Sequence, residues 1–129
     1  MAQILIVEDN PDNMKLFRAL LTMKGHVVTS LLSGDGLLEA LGEHRPDLVL
    51  MDIQLPGRDG FELLAEIRAS PFAKLKVVAL TAHAMSGDRE KARDAGFDEY
   101  ITKPIDIATF PELVSRALAI GSAERRGPR

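Results

Sequence analysis

The chain of 129 residues has no cysteine, no tryptophan and a single tyrosine. Missing thiols exclude disulfide scaffolds, zinc knuckles, iron–sulfur sites and cysteine nucleophiles. No apolar run approaches the ~20 residues that cross a bilayer. The N-terminus enters an apolar run with no basic segment before it, so no signal peptide is expected and the cytoplasm is the default compartment. An excess of basic charge is lacking too. The net charge is −3, against the basic footprint that nucleic-acid binding needs. The tail Ser122–Arg129 sets Arg125, Arg126 and Arg129 against Glu124 and includes Gly127 and Pro128. Without apolar periodicity, residues 122–129 read as a disordered, solvated basic tail. What remains, residues 1–121, suits one globular domain, in a chain 46% hydrophobic and 27% charged.

Strand-like and helix-like segments alternate along that domain. The expected strands are Gln3–Val7, His26–Ser30, Asp47–Met51, Lys76–Thr81 and Glu99–Thr102. Three are continuous apolar runs, as in strands covered on both faces by helices; the second, more polar, reads as an edge. The first helix is predicted to start with Asn10 as N-cap and Pro11 at the first position. Leu16, Phe17, Leu20 and Leu21 form its apolar face, and Gly25 ends it. The second presents Leu37, Leu38 and Leu41 and stops before Pro46. The third opens on a capping box, Asp59 with Glu62, and buries Leu63, Leu64 and Ile67. The fourth, Ser86–Ala95, has only alanines to bury, which marks it as the place to look for motion. The last carries Phe110, Leu113, Val114, Ala117 and Leu118, and Pro111 places its start near Phe110. The expected fold is α/β: a doubly wound five-stranded parallel sheet, order 2-1-3-4-5, of the flavodoxin-like (βα)5 kind. The EDNPDN that follows the first strand is no phosphate-cradling glycine loop, which disfavours nucleotide binding.

Polar residues gather where the crevice of such a sheet lies. Strand one ends in Glu8 and Asp9, strand three in Asp52, strand four in Thr81 and strand five in Lys103–Pro104. Singly, each has a local explanation as a cap, a turn or a solvated lysine. Together they point to one site. Carboxylates crowd at a cost, ~4 kcal/mol for two charges ~4 Å apart at an effective dielectric of ~20, so either one carboxyl stays protonated or a cation sits among them. An all-oxygen cluster without cysteine or a nearby histidine favours a hard ion, Mg²⁺ or Mn²⁺. A lysine and a hydroxyl facing the same point suit phosphoryl oxygens, and a carboxylate can itself be the nucleophile, forming an aspartyl-phosphate. Asp52, at the switch point of the sheet, is the candidate acceptor.

The blocks ILIVEDNPDN, DLVLMDIQLPGRDG, VVALTAHA and YITKP, in this order and spacing, resemble the receiver domains of bacterial two-component response regulators (the CheY-like superfamily), most nearly the single-domain DivK type. The resemblance spans residues 2 to about 120. It implies Asp52 as phosphoacceptor, and Glu8, Asp9, Asp52 and the backbone carbonyl of Gln54 around Mg²⁺, Asp9 directly and Glu8 largely through water. It implies Thr81 and Lys103 as ligands of the phosphoryl group, and Tyr100 as the aromatic that swings inward when Thr81 moves. It further implies a cis Lys103–Pro104 bond, Gly60 as a turn glycine, and Gln54 and His83 as positions that set phosphoryl lifetime.

The expected function is therefore a phosphorelay switch. A histidine kinase or phosphotransfer protein donates, and the face of helix four, strand five and helix five then changes for a downstream effector. With no room for an output domain after residue 121, the readout is expected to be another protein. No turnover of an external substrate is expected. The charges Asp88, Arg89, Lys91, Arg93 and Asp94 permit a weak dimer as well as a monomer. Three rivals are weaker. A phosphorylation-independent scaffold leaves the acidic pair, Thr81 and Lys103 unexplained. A phosphatase of the haloacid dehalogenase kind wants an aspartate where Gln54 stands. A flavodoxin-like binder lacks its phosphate loop.

Overall fold

In the computed structural model, residues 2–55, 57, 59–82 and 88–119 are described. His83, Ser86 and the tail 122–129 lie outside these residues. The elements run β1 (Gln3–Val7), α1 (Pro11–Met23), β2 (Val27–Leu31), α2 (Leu37–His44), β3 (Leu48–Asp52), α3 (Gly60–Arg68), β4 (Lys76–Thr81), α4 (Asp88–Ala95), β5 (Glu99–Thr102) and α5 (Phe110–Ala119). All strand pairs are parallel, in the order β2-β1-β3-β4-β5. β2 is an edge, as its polar residues suggested.

The pleat divides the core into two layers, because successive side chains leave opposite faces of a strand. Leu5, Val7, Val49, Met51, Val77 and Ala79 pack with residues of α2, α3 and α4. Ile4, Ile6, Leu48, Leu50, Val78 and Leu80 pack with α1 and α5, where Phe17 and Phe110 stack with ring centroids 5.3 Å apart. Burial of such a side chain stabilises by roughly 1.5–3 kcal/mol, so the central strands are the rigid part of the molecule.

The local signals act as their chemistry requires. Asn10 Oδ1 accepts the backbone N–H groups of Asp12 and Asn13, capping α1. Asp59 and Glu62 close a reciprocal capping box on α3, and α5 starts at Phe110. Four expectations need correction. β2 begins at Val27 and not His26, because the His26 ring turns to the Ala2 N–H and the ladder continues to Leu31, whose carbonyl accepts the Glu8 N–H. β3 runs one residue further than read, since Asp52 still pairs with Leu80, while Asp47 lies before it, its carboxylate taking the Gln3 N–H. Leu38 is exposed and Ala40 takes the buried place on α2. On α1 the buried stripe is Met14, Phe17 and Leu21, with Leu16 and Leu20 half-buried beside it.

Candidate functional site

Glu8, Asp9, Asp52, Gln54, Thr81 and Lys103 each sit at the carboxyl end of a strand or in the loop after it, while Tyr100 lies within β5. Asp52 ends β3, is 3% exposed, and has both oxygens engaged. Oδ1 accepts the backbone N–H of Gln54 at 2.9 Å, and Oδ2 accepts Lys103 Nζ at 2.9 Å. Lys103 Nζ also donates to Glu8 Oε1 at 3.0 Å. The other oxygen of Glu8 accepts the Asn10 N–H at 3.1 Å. Glu8 is fully buried and Asp9 exposed. One carboxylate oxygen each from Glu8, Asp9 and Asp52 lie within 4.8 Å of one another.

The electrostatics follow from this packing. Burial pushes the Glu8 carboxyl above its ordinary pKa and the Asp52 charge adds to that, while the Asn10 N–H and the Lys103 ammonium pull the other way. Burial alone would lower the Lys103 pKa. Its hydrogen bonds to Asp52 and Glu8 and their charges outweigh that, and the ammonium is held above its usual range. With all groups ionised, three carboxylates face one ammonium. The surplus of negative charge and the all-oxygen donor set fit a hard divalent cation.

Two backbone features fix the acceptor. A Cβ on Gly60 would lie 2.7 Å from Ile53 Cα and 2.9 Å from the Asp52 carbonyl oxygen, and the Gly60 N–H donates to the Ile53 carbonyl at 2.7 Å. Gly60 is thus the first residue of α3 pressed against the acceptor strand; the positive-φ turn glycine is Gly57. On the next strand Thr81 is 3% exposed, and its carbonyl accepts the Lys103 N–H at 2.7 Å. The Lys103–Pro104 bond is cis. Tyr100 is 8% exposed and packs in the α2–α3–α4 core layer. Gln54 is exposed. A groove of about 340 Å³ lined by Leu16, Phe17, Lys103, Pro104 and Ile105 opens between α1 and the β5–α5 loop.

Sequence reasoning brought Glu8, Asp9, Asp52 and Lys103 together correctly but missed two contacts. One is the Glu8–Lys103 pair, whose strands are not neighbours in the sheet. The other is Arg68 at the end of α3, whose guanidinium reaches carbonyls of two loops. Backbone acceptors leave no trace in residue identity, so no pattern announced it.

The chain belongs to the response regulator receiver domain family, whose sequence profile matches residues 4–115. It is similar to polar-differentiation response regulators named DivK. Those of Brucella anthropi and Brucella ovis are each 42% identical over 116 residues, which cover 89% of this chain and 94% of theirs. Among solved structures, a putative response regulator from Chloroflexus aurantiacus superposes with a TM-score of 0.85 at 28% identity, over 92% of this chain and 98% of that one. The receiver domain of a sensor histidine kinase from Pseudomonas aeruginosa, with a magnesium ion coordinated in its active-site cleft, gives 0.81 at 36% identity, over 91% and 97%. Phosphoryl acceptance is general to the family.

Proposed function

We propose that this chain is a single-domain response regulator whose receiver unit, residues 1–121, accepts a phosphoryl group on Asp52 from a partner phosphohistidine and signals through altered protein–protein contacts. The observation that carries this reading is the Lys103 ammonium 2.9 Å from Asp52 Oδ2, in a site where Glu8, Asp9 and Asp52 converge.

Asp52 acts as nucleophile. Its oxygen forms the O–P bond as the N–P bond of the donor breaks; the electron pair stays on the imidazole nitrogen, which takes a proton from solvent. Lys103 gives up its bond to Asp52 and donates to a phosphoryl oxygen, and Thr81 donates to another. The Gln54 N–H keeps the carboxylate oriented. Glu8, Asp9, Asp52 and the Gln54 carbonyl would hold Mg²⁺, or Mn²⁺, which neutralises charge on the transferring group. Movement of Thr81 draws on the chain leading into α4, and Tyr100, in the core layer on that face of the sheet, holds the new arrangement. Slow loss of the group returns Asp52 to a carboxylate, with no external substrate turned over. The donor is a histidine kinase or phosphotransfer protein and the reader a separate effector.

Intact mass after incubation with Mg²⁺ and phosphoramidate tests this. A gain of one phosphoryl group that needs Mg²⁺ and is absent in Asp52→Asn is the expected result. No gain in a folded protein that binds Mg²⁺ would favour a scaffold that works unphosphorylated.

A further inference from the structure

The Arg68 guanidinium ties the α3–β4 loop to the α4–β5 turn through its side chain. Its side chain is 19% exposed. Nη1 donates to the carbonyls of Ala73 at 2.9 Å and Leu75 at 2.6 Å, in the α3–β4 loop. Nη2 donates to the Gly96 carbonyl at 2.6 Å and the Asp98 carboxylate at 3.2 Å, in the α4–β5 turn. Asp98 Oδ2 also accepts the Val77 N–H at 2.8 Å, so the turn is tied to the start of β4 as well. Gly96 sits at φ +114°, where a Cβ would be 3.4 Å from Arg68 Nε. Burial draws the guanidinium pKa down, but so strong a base stays charged at neutral pH.

Among the described residues, α4 has little else to hold it. Among its described side chains, Glu90 to Ala95, only Ala92 is buried. Lys91 Nζ lies 5.4 Å from the centroid of the Phe61 ring, which meets Phe97 edge-on at 5.7 Å. The helix is thus pinned where it ends, and its beginning follows in the chain from Thr81, the hydroxyl of the site.

We propose that Arg68 and Asp98 clamp the C-terminal end of α4, so that a change at the site displaces the helix about that end while β5 keeps its place. Arg68 is a positioning residue, remote from the chemistry. The inference rests on the phosphoryl-switch reading for what moves the helix, but the clamp is testable without it.

Amide hydrogen exchange on the full chain, resolved by residue, reads it out. The probes are the N–H groups of Gly96, Phe97 and Asp98, bonded to the carbonyls of Arg93, Ala92 and Val77. In Arg68→Met, which keeps the apolar stem, these amides exchange about tenfold faster than in the wild type. Phosphorylation with phosphoramidate and Mg²⁺ alters exchange in α4 of the wild type and leaves the three probes unchanged; in Arg68→Met it alters them too. Probes unchanged in Arg68→Met overturn the clamp. So does a uniform acceleration across the sheet with the phosphorylation response still confined to α4, the mark of a merely structural role. Should Arg68→Met fail to fold, Asp98→Asn keeps an acceptor for Val77 and weakens the ion pair. About threefold faster exchange at the probes is then expected, and no change overturns the proposal. A wild type that takes no phosphoryl group sinks the functional reading, while exchange without donor still decides the clamp.

Discussion

Lys103 Nζ stands 3.0 Å from Glu8 Oε1 although their strands, β5 and β1, have β3 and β4 between them. The lysine arches over the ends of two strands and meets Asp52 on the way. One ammonium thereby neutralises charge on two buried carboxylates. Deleting it leaves both uncompensated.

Lys103→Met should therefore destabilise the protein by about 3–5 kcal/mol, the usual cost of removing one partner of a buried pair. Without the ammonium, which now pulls against the effect of burial, the Glu8 carboxyl keeps its proton to higher pH. The native state then binds more protons than the unfolded chain, so stability falls as pH rises. Urea midpoints of variant and wild type across pH 5–8 check this, since the His26 contribution cancels in their difference; a loss relative to wild type that does not grow with pH contradicts it. On the proposed chemistry, phosphoryl uptake should also slow about 10²-fold.

Metal should act through the same surplus charge. Mg²⁺ at about 100 times its dissociation constant should stabilise the folded protein by ~2.7 kcal/mol. Asp9→Asn, at the exposed mouth of the cluster, should remove most of that gain with little effect on the metal-free protein. Thermal shifts with Mg²⁺ against a chelator give the comparison.

Gly60 and Gly42 should respond oppositely to alanine. At Gly60 the new Cβ meets backbone atoms of Ile53 and Asp52, which cannot swing aside, so a loss of about 1–3 kcal/mol is expected, with slower phosphoryl uptake. At Gly42, within α2, the nearest atom is Phe72 Cζ at 3.8 Å. There Ala should gain about 0.5–1 kcal/mol from helix propensity. Denaturant titration of both variants decides it.

His26 should make stability depend on pH near neutrality. Its Nδ1 accepts the Ala2 N–H at 3.2 Å. Burial, and then the charge of the N-terminus, lowers its pKa from 6.5. A lowered histidine pKa means that the unfolded chain binds more protons, so this contribution is present above pH ~6.5 and is lost as pH falls through the native pKa. The difference in urea midpoint between pH 7.5 and 5.5 should shrink in His26→Gln.

The topology and most of the site were legible because they are written in residue types. Apolar runs marked β1 and β4 to the residue, the shorter Glu99–Thr102 was bounded correctly as β5, and charged or polar residues at strand ends marked the crevice. The errors cluster where backbone bonds overrule composition. Stopping β3 at Met51 treats Asp52 as loop because it is charged, yet the ladder holds it, and that buries the acceptor at 3% exposure. Leu38 reads as core by hydrophobicity alone, whereas the turn of α2 gives the inward place to the smaller Ala40. Arg68 was invisible because its partners are mostly carbonyls, brought near by the packing of two loops.

The two-layered core has one more consequence. Asp52 shares the pleat phase of Leu50, on the α1–α5 side, and Thr81 that of Ala79, on the side where Tyr100 packs. Acceptor and responder thus stand at adjacent strand ends yet belong to opposite layers. Adding or deleting a single residue within β3 or β4 would reverse that phase and send one of them into the wrong layer. The number of residues in these strands is as strict a requirement as their identity.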